Sequence, residues 1–433
     1  MQENEQKEYS FINEKIKEKP VNRKWILCRV LFTFGMAILF GIVAAVVFTL
    51  VQPRMEEQIN PKKDTSITFP KDEEETETEE GTETETETQD TQTGEAETEV
   101  SSTETNQVEL ELDDYQAIQN KMYEVGRTAN KFIVTVTGVK SDTDWFNNSY
   151  ETKGQASGII IVDNGTELLI MTEKKVIADA KNIYVTFIDD AVAAATIKKY
   201  DGNTGITVLS VPLQEVEEST LDAIEVATLG NSYGVKQGSV VIAVGSPLGS
   251  NYSILTGNVT SNTNTISTID NTYSIFTTDI VGSVNGSGAL INLNGEVVGL
   301  VMQGYSSSED ETTLTAVAIS ELKSLIEMLS NGKDIPYIGL QMTTVTSAIA
   351  EEYDIPKGVY IKDVAMDSPA MAAGLQSGDV LVEMDGVNII SDEIYESTLL
   401  SLEPGSTVEM VINRQASDGY HEVTCQVEVS VLQ

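Results

Sequence analysis

The stretch NGSGAL, residues 285–290, places Ser287 in a knot of small residues flanked by strand-like segments, TTDIV before it and INLNGEVVGL after it. A serine presented this way can attack an acyl carbon if a base takes its proton and a carboxylate orients that base. The usual base is an imidazole, and the chain has a single histidine, His421, in a different β-rich segment. A lysine is the other option, provided that burial lowers its pKa by several units. Ser283, four residues before Ser287, reads as a turn residue.

The elements that must position Ser287 belong to a chain of 433 residues, long enough for two or three domains. Its net charge of −41 is unevenly spread, because residues 72–114 hold nineteen Asp or Glu and no Lys or Arg. A polyanion of this kind repels nucleic acid, so no nucleic-acid partner is expected. Cys28 borders an apolar run and Cys425 lies near the C-terminus, so neither a disulfide nor a zinc site is expected. No cofactor or metal is implied.

Residues 31–51, LFTFGMAILFGIVAAVVFTLV, form twenty-one uncharged positions, enough for a transmembrane helix. The preceding flank carries Lys15, Lys17, Lys19, Arg23, Lys24 and Arg29, which puts residues 1–30 in the cytoplasm and residues 52–433 outside. A cleaved signal peptide fits less well, since VQPRMEE offers no small-residue cleavage site. Residues 52–112, low-complexity and Thr/Glu-rich, read as a disordered acidic linker that self-repulsion keeps extended. The tract lacks the ligand spacing of a calcium loop, which favours a spacer over a cation-binding tail.

From Asp113 the pattern changes. DYQAIQNKMYEVGRTANKF suits a helix. Short β-rich runs such as FIVTVTGV, ELLIMT, NIYVTFI, SVVIAVG and EVVGLVMQG follow, separated by Gly, Asn and Asp turns, and argue for a β-barrel or sandwich. SELKSLIEMLSNG, a helical stretch, closes this region near residue 332. The remaining residues form a second unit of strands with helical stretches at PAMAAGL and SDEIYESTLLSLEPG.

These segments together resemble the HtrA (Deg) family, a trypsin-like double β-barrel followed by a PDZ domain. The resemblance rests on GQASGIIIVDNGTELLIMT, LGNSYGVKQGSVVIAVGSPLG, SILTGNVTS and SGALINLNGEVVGL, and on the PDZ-like signature DSPAMAAGLQSGDVLVEMDGVNI. It implies a mainly β fold: an N-terminal transmembrane helix (31–51), a disordered linker (52–112), a trypsin-like double barrel (113–332) and a PDZ domain (335–433). A membrane anchor ahead of the barrels is similar to the family's Gram-positive members.

Against the family's pattern the catalytic positions differ. Its histidine stretch, Thr-Asn-x-His-Val-Ile, corresponds to Thr172-Glu173-Lys174-Lys175-Val176-Ile177, so Lys175 takes the histidine position. The aspartate position after Asp201-Gly202-Asn203-Thr204 is Gly205. Counting forward from Asp279 puts Ser287 at the nucleophile position, and counting back from Ala289-Leu290 puts Gly286 there, so the loop is one residue short. Such a deletion would misplace the N–H groups that must face a developing oxyanion.

In the PDZ-like unit, Tyr337-Ile338-Gly339-Leu340 resembles the family's carboxylate-binding loop, and Gly339 permits close backbone approach. Ile394 and Thr398, four apart on the following helix, would line one wall of a peptide pocket. Asp379 and Gly378 read as turn-forming. Trp145 and Phe146 form an aromatic pair in a polar loop, either a subunit contact or a loop anchor on the barrel. The function these readings imply is a membrane-anchored pseudoprotease that binds peptide C-termini or unfolded polypeptide at the envelope of a Gram-positive bacterium. A homo-trimer, or co-assembly with an active paralogue, would follow from the same resemblance. The alternative is an active quality-control endopeptidase using Ser287 with Lys175 as base.

Overall fold

A computed structural model describes residues 66–72, 111–143, 149–306 and 312–432. The apolar run at 31–51 and the pair Trp145 and Phe146 lie outside the described residues. Among the described residues no helix is long and apolar enough to cross a membrane.

Helix α1 (Leu112–Ala129) opens the body, its N-terminus closed by reciprocal hydrogen bonds between Glu111 and Asp114. Six strands then close a barrel in the order β1-β2-β3-β6-β5-β4: β1 Ile133–Thr143, β2 Ser149–Asp163, β3 Glu167–Glu173, β4 Asn182–Thr186, β5 Val192–Tyr200 and β6 Ile206–Pro212. Strand β4 alternates exposed and buried residues, as a barrel wall facing water on one side must. Strands β3 and β6 instead carry apolar runs and are nearly fully buried. Helix α3 (Ile319–Ser330; α2 is the short turn Lys174–Ile177) packs over β5, β6 and β11 and seals that outer face.

The second barrel closes in the order β10-β11-β12-β9-β8-β7, from β7 Val240–Ser246, β8 Ser253–Thr268, β9 Asn271–Val281, β10 Ser287–Ile291, β11 Val297–Met302 and β12 Thr313–Ala318. One apolar cluster runs from the first barrel across the seam to α3, and another fills the second barrel. The C-terminal domain has its own core. Its sheet runs β14 (Leu340–Thr344), β15 (Val359–Val364), β16 (Val380–Met384), β18 (Thr407–Ala416), β19 (Gly419–Glu428), with β17 (Val387–Asn388) added beside β16. A two-stranded pairing of β13 (Pro336–Tyr337) with β20 (Ser430–Val431) ties the ends of this domain together. Helix α4 (Pro369–Ala372) is capped by Ser368 with proline in its first turn, and α5 (Asp392–Ser401) by Ser391.

The linker expectation for 52–112 needs correction over residues 66–72. Ile67 and Phe69 pack against the main core, and Ile67 exchanges hydrogen bonds with the Asn331 side chain at 2.9 and 2.8 Å. Asp72 accepts from the buried Lys323 ammonium at 2.7 Å and from the Ser320 hydroxyl at 2.5 Å. Two apolar side chains and one paired carboxylate are enough to seat this strap in an otherwise polar tract.

Candidate functional site

The antiparallel register of β3 and β6 pairs Thr172 with Thr207 and Glu173 with Ile206. It therefore brings the start of α2 beside the loop before β6, where the Lys174 N–H donates to the Gly205 carbonyl at 2.7 Å. Gly205 has φ +75, and its own N–H closes a turn on the Asp201 carbonyl at 3.0 Å. Asp201 is buried and spends its carboxylate on the N–H groups of Asn203 and Thr204 and on the Thr204 hydroxyl. It shapes the turn.

Lys175 is half-exposed and pairs with Glu173 at 2.7 Å. Burial pushes the Glu173 carboxyl above its ordinary range, against the pull of that ammonium. The neighbouring Lys174 ammonium sits over the Tyr200 ring, 3.4 Å from its centre. Lys175 and its neighbour Lys174 thus both have partners other than Ser287.

Ser287 opens β10 and is buried. Its Oγ accepts a hydrogen bond from the Ser157 N–H of the first barrel at 2.9 Å. Ser157 in turn donates its hydroxyl to Asn251 Oδ1 at 2.7 Å, and Asn251 donates to Thr135 Oγ1 at 2.6 Å. The result is a chain of polar contacts across the seam between barrels. In the knot ahead of Ser287, the Gly286 N–H donates to the Ser283 carbonyl at 2.6 Å and the Ser283 N–H to the Pro247 carbonyl at 2.8 Å. Gly286 has no room for a side chain, since an added Cβ would lie 2.8 Å from both of those carbonyl oxygens. His421 is in β19, exposed, and faces Asp418 at 2.8 Å.

The second group of candidates comes together in the C-terminal domain. The loop from Tyr337 to Leu340 turns at Gly339, φ +100, where a Cβ would meet the Ser368 Cβ at 2.3 Å. Its N–H groups converge on one carboxylate. Ile338 and Gly339 donate to Asp270 Oδ2 at 2.8 and 2.7 Å, and Leu340 donates to Oδ1 at 2.9 Å. The Tyr395 hydroxyl of α5 adds a fourth donor at 2.8 Å. Asp270 is the turn residue between β8 and β9, buried and at φ +61. Burial pushes its carboxyl upward, and the four donors pull it back.

Ile394 is half-buried against the domain core, and Thr398 is buried with its hydroxyl donating to the Ile394 carbonyl at 2.7 Å. Gly378 has φ +96. Asp379 does more than form a turn: it accepts from the Gln376 N–H and binds Arg414 through both carboxylate oxygens at 2.7 Å. Sequence reading missed Asp270 and Tyr395 altogether. The Asp-Asn pair at 270–271 signals a hairpin turn and nothing further.

Residues 156–300 match the trypsin-like peptidase domain and residues 336–429 the PDZ domain. The chain is 29% identical over 290 residues to the serine protease Do-like HtrA of Lactobacillus helveticus, covering 63% of this chain and 68% of that one. It is 30% identical over 273 residues to the probable periplasmic serine endoprotease DegP-like of Halomonas elongata, covering 62% and 55%. Serine protease Do-like HtrB of Bacillus subtilis is 28% identical over 310 residues, with 65% and 66% covered. The matches thus span from about half to about two thirds of the relatives' own length. Among solved structures, the HtrA-type protease AlgW with decapeptide is alike in fold, with a TM-score of 0.53 at 20% identity, over 72% of this chain and 98% of that one.

Proposed function

The chain belongs to the HtrA/Deg family, and from that premise we propose that it is a non-cleaving member, a pseudoprotease that captures peptide C-termini or unfolded polypeptide through its PDZ domain. The observation that carries this reading is the state of the cleft. Ser287 Oγ is engaged by the Ser157 N–H, and the residue at the histidine position, Lys175, is engaged by Glu173. A base must lie within hydrogen-bond reach of the proton that it abstracts. Neither Gly205 nor Asp201 is placed to orient one.

Peptide capture is supported by the three convergent N–H groups of residues 338–340, which suit a carboxylate, and by the edge position of β14 beside them. The decapeptide bound to the AlgW relative fits the same reading. In this proposal residues 31–51 anchor the body at the outer face of the cell membrane, as the periplasmic naming of relatives also suggests for the family. Assembly as a homo-trimer or with an active paralogue belongs to the proposal as well.

The relatives named as proteases favour a second reading, in which Ser287 and Lys175 form a working pair. One experiment separates the two. The full chain in detergent and its Ser287→Ala variant are each incubated with unfolded casein and with a fluorophosphonate probe. The pseudoprotease reading expects no cleavage and no labelling by either. Cleavage and labelling by the parent alone would establish the second reading, with Lys175→Met as the next variant.

A further inference from the structure

We infer that the PDZ groove already holds a ligand supplied by the same chain: the β8–β9 hairpin tip occupies it, Asp270 takes the carboxylate position, and a peptide C-terminus enters only by displacing it. The inference rests on the peptide-capture reading above and adds the occupant.

The geometry of the tip is that of an added peptide. Strand β14 is the edge of the C-terminal sheet, so its outer N–H and C=O groups are the ones that an extended ligand would use. The Asp270 N–H donates to the Leu340 carbonyl at 2.6 Å, while the Leu340 N–H donates back to Asp270 Oδ1 at 2.9 Å. Two residues further along β14, the Met342 carbonyl accepts from Ser267 Oγ at 3.4 Å. On the other wall, the Tyr395 hydroxyl reaches the same carboxylate, and the Asn271 amide, turned to satisfy its neighbours, donates to both Glu396 oxygens at 2.7 and 3.0 Å. The tip is therefore held between β14 and α5, the two walls of the groove.

Three consecutive backbone N–H groups converge on the Asp270 carboxylate, the arrangement that captures a terminal carboxylate. The space left beside Asp270 is about 20 Å³, room for about one water molecule and too little for a second carboxylate with its chain. Occupancy is exclusive. The Asn203 side chain, which donates to the Ile269 carbonyl at 2.8 Å, props the tip from the first barrel. A ligand in the same polypeptide acts at a high effective concentration, so the apparent affinity for a free peptide falls by the fraction of molecules with an open groove.

The test uses the full chain in detergent, with two fluorescent decapeptides ending in valine, one with a free carboxylate and one amidated. Anisotropy is expected to show Asp270→Asn binding the free acid at least ~10-fold more tightly than the parent, with no gain for the amide. Tyr395→Phe, which keeps the apolar contacts and removes one donor, gives a smaller gain in the same direction. Amide exchange at residues 338–340 is measured alongside, and the inference expects it to be faster in Asp270→Asn and slowed again by the free acid. Equal affinity in parent and variant overturns the inference and leaves peptide capture standing. No binding by either, with those amides released in the variant, overturns peptide capture too and reduces Asp270 to a structural tie.

Discussion

At the seam between barrels, the Ser287 hydroxyl accepts a hydrogen bond from the neighbouring barrel; at the C-terminal groove, three backbone N–H groups donate to nothing from outside because Asp270 takes them. Both sites are satisfied from within the molecule, but by different routes. In the cleft the residue types are unlike a triad: Lys175 and Gly205 stand where the resemblance expects an imidazole and a carboxylate. In the groove the three convergent N–H groups are in place and the space between the walls is taken. A side-chain identity is changed by one substitution, whereas a backbone donor array survives any substitution that leaves the turn intact. The groove is thus the region where one substitution elsewhere, at Asp270, can restore access.

The comparison breaks most sharply at Gly339. Gly339→Val puts a β-branched side chain at φ +100 and a Cβ 2.3 Å from the Ser368 Cβ, so it should cost about 3 kcal/mol or more. Thermal unfolding would show the C-terminal domain weakened, and amide exchange would show the barrels protected as before. Loss of barrel protection in this variant would mean that the two regions do not act separately.

A smaller effect is expected in the cleft. If Ser287 is a seam tie, Ser287→Ala strands the buried Ser157 N–H and destabilises the barrels by about 1–2 kcal/mol. Denaturant melts of parent and variant check this, and a neutral result would show that the hydroxyl is dispensable to the seam.

A third effect is a slope with pH at the junction between them. Burial, and then the charge of Glu321, push the Glu396 carboxyl up to about 8 from an ordinary 4.5, and Glu393 and Asp392 on its own helix push the same way. A folded-state pKa above the unfolded one gives stability that is complete below about 4.5 and is lost as pH rises through about 8. The melting temperature should fall as the pH rises between these limits, and Glu396→Gln should flatten the fall. A melting temperature that rises over this range would reverse the assignment.

Much of the architecture is legible in the sequence because its signals are local. Alternation along β4, the apolar runs of β3 and β6, and the Ser-Pro pair that caps α4 each announce their element within a few residues. The resemblance that points to Lys175, Gly205 and Ser287 likewise rests on short contiguous stretches. The occupant of the groove is not. Asp270 meets Ile338, Gly339 and Leu340 across a domain boundary, 68 to 70 residues away, and no periodicity encodes such a meeting. Asp379 illustrates a milder case: its turn is visible in the Gly-Asp pair, but its bidentate Arg414 lies 35 residues on, on a neighbouring strand. The strap at 66–72 escapes notice because Ile67 and Phe69 are only two large apolar residues beside a long polar tract.

That strap changes what a nick in the acidic tract would do. The chain is held to the body at residues 67–72 and again from Glu111, so residues 73–110 join two points that are already fastened to the same body. A protease that cuts once among them severs the backbone without parting the fragments. The piece carrying residues 1–72 stays on through the Asn331 and Lys323 contacts, and separation becomes a dissociation event with its own lifetime, slowed by every bond in the strap.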